Sequence, residues 1–216
     1  MNLYLISGLG VDRRAFARLQ FPETVKACYL DWIPPAGSEE SLQNYSLRIA
    51  SGIDQSSPFM LCGLSMGGMV ATEIAKVFPP QKLILLSSTP IAKGLPKAYR
   101  LSGKYGLHKM LPAELITKPN FLAHWFLGAR NAAERELLDG ILRDTDPNFV
   151  KWALHSILHW ENELVPANLY RIHGSSDRLI PCPPDAEMKI SGAGHLMVWT
   201  HAEQISGVFE KLLNSC

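Results

Sequence analysis

The stretch Gly63-Leu64-Ser65-Met66-Gly67 contains the residue of this chain best suited to nucleophilic chemistry. An uninterrupted apolar run at 59–62 precedes it and a helix-like segment at 66–77 follows it, so Ser65 lies at a predicted strand-to-helix turn. Glycine on both sides lets backbone segments approach closely and holds the serine in a strained conformation, with its hydroxyl at the carboxyl end of the strand. Because glycine and serine are common, the pattern is informative only in this setting. The sequence therefore predicts Ser65 as a nucleophile.

A serine hydroxyl reacts poorly until a base removes its proton, and His195 is the predicted base among the seven histidines. His195 follows Ser191-Gly192-Ala193-Gly194, a flexible loop directly after a predicted strand. Asp177, in the turn after another predicted strand, is the acid that would orient the imidazole and stabilise its cationic form. By themselves, a loop histidine and a turn aspartate are more often surface and capping residues. Ser87-Ser88-Thr89, which ends the strand after the Ser65 helix, offers no alternative carboxylate.

A developing oxyanion needs two backbone N–H donors, and the sequence predicts Met66 and Leu9 for this role. Met66 directly follows Ser65 at the start of a helix, whose dipole also favours negative charge. Leu9 lies in the loop Ser7-Gly8-Leu9-Gly10 after the first predicted strand. The alternative is an ordinary turn, because two glycines in four residues are frequent in loops.

The elements that must position these residues follow the pattern of a mainly parallel sheet, in which short apolar runs alternate with amphipathic segments. Strands are predicted at 3–7, 25–30, 59–62, 82–87, 169–173 and 187–190. Helices are predicted at 39–53, with Ser38 as the N-cap, at 66–77 and at 201–213.

Residues 90–163 differ from the rest, because strand-like runs disappear and helical stripes replace them. Asn131 with Glu134 resembles a capping box, and Asp146-Pro147 is a good helix start. The sequence predicts one structural domain with an insertion: residues 1–89 and 164–216 form the core, and residues 90–163 form a helical cap that enters after the fourth strand. In or around this cap, Trp125, Phe126 and Trp152 could line an apolar acyl pocket, or they could serve the cap's own packing.

Taken together and in order, these motifs resemble the α/β-hydrolase superfamily, within its small capped esterase-like members. The resemblance rests on the Gly8 loop, the Gly63–Gly68 turn, His173-Gly174 with Asp177, and Gly192-Ala193-Gly194-His195, and the order serine, acid, base is that of this fold. The family often has His-Gly where this chain has Ser7-Gly8. It also usually begins with two antiparallel strands that are missing here, so a six-stranded, mainly parallel sheet flanked by helices is expected.

Composition argues for a small and largely uncharged partner. The net charge is +1 and no run of like charges occurs, so neither nucleic acid nor a membrane surface is an expected partner. The N-terminus has no signal-peptide layout and its apolar stretch is too short to span a bilayer, which predicts a cytoplasmic protein. The oligomeric state stays open.

No metal or organic cofactor is expected. His155 and His159 are four residues apart on a predicted helix and could face one metal ion, but no glutamate follows His155 in the H-E-x-x-H manner and no third ligand is obvious. With Trp152 they are more typical of a polar-aromatic helix face. The glycines of the Gly8 loop are too few for a dinucleotide fingerprint.

The sequence thus predicts a serine hydrolase that cleaves a small ester or related acyl compound through an acyl-enzyme. Two alternatives stay open: the same triad in a C–C bond hydrolase or acyltransferase, and a hydrolase-fold ligand receptor or signalling protein with slow turnover. A haloalkane dehalogenase is disfavoured, because that chemistry requires a carboxylate where this chain has Ser65.

Overall fold

The computed structural model describes residues 1–110, 112 and 117–213 of the 216-residue chain, without the side chain of Lys109. Its strands are β1 (Asn2–Ile6), β2 (Lys26–Leu30), β3 (Phe59–Leu64), β4 (Lys82–Leu86), β5 (Leu169–Gly174) and β6 (Met188–Ile190). They form one six-stranded sheet in the spatial order β2-β1-β3-β4-β5-β6, and every neighbouring pair is parallel. The predicted α/β class with a six-stranded parallel sheet is confirmed. The strand order reverses between β1 and β3, and the crevice at such a point is where sheets of this type bind ligands.

The described helices flank this sheet and fill the segment between β4 and β5. They are α1 (Leu42–Ile49), α2 (Met66–Val77), α3 (Lys97–Lys104), α4 (Phe121–Leu127), α5 (Ala132–Asp144), α6 (Pro147–Leu158), α7 (Met197–Thr200) and α8 (Ala202–Leu213). Short 3₁₀ helices lie at Arg13–Phe16, Ala50–Gly52, Ala92–Gly94 and Leu107–Met110. None of the described helices is both long enough and apolar enough to cross a membrane.

The core lies on both faces of the sheet. In β1, Tyr4 and Ile6 join a buried cluster with residues of α1, α2 and α6, whereas Leu3 and Leu5 join a second cluster with residues of α8. Alternate side chains of a strand point to opposite faces, so both faces are covered. Every residue of β3 is buried, which explains why its sequence shows no polar alternation.

Two helix starts in the 90–163 segment are confirmed. Asn131 accepts a hydrogen bond from the Glu134 N–H at 2.9 Å and the Glu134 carboxylate accepts from the Asn131 N–H, which is the predicted capping box. Asp146 caps α6, and Pro147 is its first residue. The division into core and cap stays a prediction, and residues 111, 113–116 and 214–216 of its ranges lie outside the described residues.

The start of α1 differs from the prediction. Its N-cap is Ser41, whose hydroxyl accepts from the Asn44 N–H at 3.2 Å, and not Ser38. The reason is tertiary, because the Glu40 carbonyl oxygen accepts a hydrogen bond from the Trp152 indole at 2.8 Å. That contact holds residue 40 outside the helix, and capping falls to the next serine along the chain.

Candidate active site

Ser65 occupies the turn between β3 and α2 with φ 53° and ψ −120°, a conformation that non-glycine residues rarely adopt. A Cβ on Gly63 would lie 2.2 Å from the Gly67 carbonyl oxygen, and one on Gly67 would lie 2.1 Å from the Ser7 carbonyl oxygen. Side chains at either position would force β1, β3 and α2 apart. The Ser88 hydroxyl donates to the Ser65 carbonyl oxygen at 2.6 Å and helps to hold the turn. Such backbone strain costs about 1–3 kcal/mol and persists because the surroundings impose it.

The structure brings Ser65, His195 and Asp177 into contact. The Oγ of Ser65 lies 2.8 Å from Nε2 of His195, and Nδ1 of His195 lies 2.8 Å from Oδ2 of Asp177. Since a carboxylate only accepts, Nδ1 carries the proton, and the lone pair of Nε2 faces the serine hydroxyl. His195 is 4% exposed and the Asp177 side chain is fully buried. Hydroxyl, imidazole and carboxylate therefore form a continuous chain that can remove the serine proton.

Asp177 is held in its ionised form by its hydrogen bonds. Burial alone would raise the pKa of Asp177, but the charge of His195 and hydrogen bonds from His173, His195 and the Ile180 N–H outweigh it, so the pKa lies well below its usual range. Its Oδ1 accepts from the backbone N–H groups of Leu179 and Ile180 at 2.9 and 3.1 Å. The acid therefore keeps its negative charge next to the base.

His173, which the sequence analysis named only as part of the family resemblance, contacts Asp177 in the structure. It is fully buried in β5, its Nε2–H donates to the Ile180 carbonyl oxygen at 2.8 Å, and the same nitrogen lies 3.2 Å from Oδ2 of Asp177. A second imidazole thus contacts Oδ2, whereas the backbone donors bind Oδ1. The signal was available in the sequence: a histidine at the end of a buried strand, four residues before the aspartate.

The two predicted oxyanion donors lie on elements that adjoin Ser65. Met66 is the first residue of α2, so its N–H has no acceptor within the helix. Leu9 lies in the loop after β1, and a Cβ on the preceding Gly8 would be only 3.2 Å from the Ser65 Cβ. The loop and the helix start therefore flank the serine.

Trp32 holds this loop in place. Its indole N–H donates to the carbonyl oxygens of Gly8 and Val11, each at 3.2 Å. A cavity of about 270 Å³ opens beside the loop, and its lining includes Val11, Trp32 and Phe149. Sequence reasoning missed both aromatic residues, because the contact between Trp32 and Gly8 joins positions 24 residues apart.

Trp152 is not among the residues that line this cavity, and its role in an acyl pocket stays a prediction. It is 3% exposed, its ring lies 4.2 Å from that of Tyr45, and its N–H is bonded to the Glu40 carbonyl oxygen. Trp152 therefore packs α6 against α1, which is the alternative that the sequence left open.

Trp125 and Phe126 lie on α4, near the loop of the acid, and they do not line the same cavity. Their rings meet edge to face at 4.8 Å, and Trp125 is 43% exposed. The guanidinium of Arg178 lies 4.4 Å from the centre of the Trp125 ring and donates to the Trp125 carbonyl oxygen at 2.8 Å. Since Arg178 follows Asp177, this contact joins α4 to the acid loop. A substrate-lining role for the two aromatic residues stays a prediction.

The helical segment also contacts the loop of the base. The Leu196 N–H donates to the Leu127 carbonyl oxygen at 2.9 Å, and Arg130 donates to the Gly192 carbonyl oxygen at 2.6 Å. Tyr99 of α3 faces the acid: burial and then the charge of Asp177 raise the pKa of its hydroxyl. Sequence patterns could not reveal these contacts, because each joins residues far apart in the chain.

Side chains of the types that bind metal ions come together in a second group, which includes none of Ser65, His195 and Asp177. Within residues 1–110, 112 and 117–213, the one group of three or more that could hold an ion is His108, His155 and His159. His108 is the third ligand-type residue that was not obvious from the sequence. His108 lies 47 residues before His155, and no local pattern links it to them.

Comparison with known proteins gives a family match and several structural relatives. A family model for the alpha/beta hydrolase family matches residues 3–208. None of the curated proteins compared matches the sequence. A thermophilic esterase from Thermogutta terrifontis is 18% identical with a TM-score of 0.72, covering 100% of this chain and 90% of that chain. A lipase-esterase related protein from Clostridium acetobutylicum is 17% identical with a TM-score of 0.68, and the match covers 96% of this chain and 92% of that chain.

A third similar structure, a hydrolase from Oleispira antarctica, is 15% identical with a TM-score of 0.71, covering 96% of this chain and 88% of that chain. At these identities the structures establish the shared fold. The family match spans the sheet and the three residues Ser65, Asp177 and His195. The chain therefore belongs to the alpha/beta hydrolase family.

Proposed function

We propose that this protein is a serine hydrolase that cleaves a small ester or a related acyl compound. Ser65 attacks the carbonyl carbon while Nε2 of His195 takes the hydroxyl proton, and Asp177 stabilises the resulting imidazolium. The N–H groups of Leu9 and Met66 stabilise the tetrahedral oxyanion. His195 then protonates the leaving alcohol, and water, deprotonated by the same imidazole, hydrolyses the acyl-enzyme.

The observation that carries this proposal is the pair of 2.8 Å contacts that link Ser65, His195 and Asp177. The depressed pKa of Asp177 supports it, because an ionised acid favours the cationic base of the transition state.

The test combines covalent labelling with turnover. A fluorophosphonate probe should label the wild-type chain at Ser65, and p-nitrophenyl esters of graded acyl length should be hydrolysed. Ser65→Ala should abolish labelling and lower kcat by about 10⁴-fold or more. Ser51→Ala is the matched control, because the Ser51 hydroxyl is exposed and bonded only to the Arg48 carbonyl oxygen among the contacts described.

Wild-type ester turnover by Ser65→Ala would contradict the mechanism. Turnover of a diketone by the wild-type chain, without activity on any ester, would keep the triad but replace the ester substrate with a C–C bond.

A further inference from the structure

Three imidazole rings meet at the C-terminal end of α6, away from the Ser65 turn in the sequence. The ring centres of His108 and His155 are 5.3 Å apart, those of His108 and His159 are 5.5 Å apart, and those of His155 and His159 are 4.1 Å apart. Their ligand nitrogens all lie within 4.8 Å of one another. Rings in a triangle of this size can offer their lone pairs to a single ion.

The fold builds this cluster from two packed elements. His155 and His159 are four residues apart at the end of α6, so they share one side of the helix. His108 comes from the 3₁₀ helix Leu107–Met110, which follows α3. Gly103 of α3 allows the approach, since a Cβ there would lie 2.5 Å from the Leu158 carbonyl oxygen. The close packing of α3 on α6 therefore brings His108 over the other two rings.

A hydrogen bond of His159 and a carboxylate contact of His155 favour metal binding at the other nitrogen of each ring. Nδ1 of His159 donates to the His155 carbonyl oxygen at 2.8 Å, which leaves the Nε2 lone pair for a ligand. Nε2 of His155 lies 3.6 Å from the Glu39 carboxylate, a partner of the type that orients metal-binding imidazoles. Nδ1 of His155 lies 3.1 Å from Nε2 of His108. Two nitrogens bound tetrahedrally to one Zn²⁺ are separated by about 3.3 Å, so small shifts would suffice.

The backbone next to the carboxylate partner is held against α6. The carbonyl oxygen of Glu40 accepts from the Trp152 indole at 2.8 Å and from the Ser156 hydroxyl at 3.3 Å, both on α6. These bonds fix the backbone next to Glu39, whose side chain is 80% exposed. His108 is 7% exposed, and its Nδ1 has no hydrogen-bond partner among the residues that the structure describes. Nδ1 of His108 is therefore a buried polar atom without a hydrogen bond among the contacts of the described residues.

We propose that His108, His155 and His159 bind one divalent transition-metal ion of the Zn²⁺ type, with Glu39 as the partner of His155 and with water or another ligand completing the coordination. Three neutral imidazoles suit Zn²⁺, Ni²⁺ and Cu²⁺, and do not suit Mg²⁺ or Ca²⁺, which prefer oxygen. The bound ion ties the 3₁₀ helix to α6. The proposed site shares no residue with the proposed ester chemistry of Ser65, His195 and Asp177.

The test uses the full chain without a histidine tag, first treated with EDTA and then titrated with ZnCl₂ by calorimetry. We expect one ion per chain with a Kd of about 1 μM or lower. Free Zn²⁺ at 100 times the Kd should raise the Tm by about 5–10 °C. Co²⁺ should give the absorption bands of tetrahedral coordination.

Variants separate the cluster from adventitious binding. His159→Gln, at an exposed position that leaves the fold intact, should weaken Zn²⁺ binding at least about 100-fold, and His108→Gln should do the same. Glu39→Gln should weaken it by about tenfold, the usual loss for such a partner. His201→Gln, outside the cluster, is the matched control and should bind as the wild-type chain does.

Equal Zn²⁺ affinity in the wild-type chain and His159→Gln, or no binding to the wild-type chain, would overturn the proposal. Fluorophosphonate labelling of Ser65 should be the same in His159→Gln and in the wild-type chain. The metal site and the serine mechanism can therefore fail independently.

Discussion

The backbone at Ser65 allows stability and activity to be separated with two substitutions. Ser65→Ala and Ser65→Gly both remove the hydroxyl and its 2.8 Å contact with His195, so neither should be labelled by a fluorophosphonate. They differ only in the Cβ, which opposes the conformation at φ 53° and ψ −120°. Glycine accepts this region without steric cost, whereas alanine keeps the strain of the wild-type serine.

The expected difference follows from two opposing terms. Relief of the strain contributes about 1–3 kcal/mol in favour of the glycine variant. The greater conformational freedom of glycine in the unfolded chain lowers the stability of the glycine variant by about 0.4–1 kcal/mol. Ser65→Gly should therefore be more stable than Ser65→Ala by about 1 kcal/mol, which corresponds to about 2–4 °C in Tm for a chain of this size.

Urea denaturation at one pH, with calorimetry for the Tm, measures this difference directly. The slopes of the two denaturation curves should agree, so that the midpoints report stability alone. If Ser65→Ala proves as stable as Ser65→Gly or more stable, the surroundings do not impose strain at this residue and the reasoning is refuted.

Three further outcomes are expected. Because the folded chain holds the pKa of Asp177 below its ordinary value of 3.8, the ionised group stabilises the fold above about pH 4 and this contribution fades as the pH falls further. Asp177→Asn should remove this contribution to the pH dependence of the free energy of unfolding, measured by urea denaturation at a series of pH values. The same pH dependence in Asp177→Asn and the wild-type chain would contradict this prediction. Trp32→Phe removes the donor to the Gly8 carbonyl oxygen and should lower kcat for esters by about tenfold with little change in KM; a rise in KM alone would assign Trp32 to substrate binding. Gly67→Ala places a Cβ 2.1 Å from the Ser7 carbonyl oxygen and should lower the free energy of unfolding by more than about 2 kcal/mol, with wild-type stability in denaturation as the contrary result.

The sheet and the Ser65 turn could be predicted because their signals are local. The apolar run at 59–62 is buried on both faces, and the helix after it begins at Met66 and ends at Val77 as expected. The capping pairs Asn131–Glu134 and Asp146-Pro147 are local in the same sense. Each depends on residues within one helical turn or one strand, where sequence and structure are directly coupled.

The contacts of Trp32, Trp152 and His108 could not be predicted, because they join residues that are far apart in the sequence. Nothing near Trp32 indicates that its indole reaches the Gly8 carbonyl oxygen, and nothing near Trp152 indicates that Glu40 occupies its N–H. The third histidine, His108, joins its partners only because α3 packs on α6. Tertiary packing of this kind determines which aromatic and titratable side chains come into contact. No short stretch of the sequence contains the information needed to predict it.

The bonds that Leu127, at the end of α4, and Arg130, just after α4, make with the base loop have a consequence for the position of His195. The Leu127 carbonyl oxygen accepts from the Leu196 N–H, and Arg130 donates to the Gly192 carbonyl oxygen, on either side of His195. An outward swing of α4 must break these bonds or drag the loop along. The position of the imidazole therefore depends on the segment that contains Leu127 and Arg130, and a substitution that shifts this segment should also shift His195 relative to Ser65.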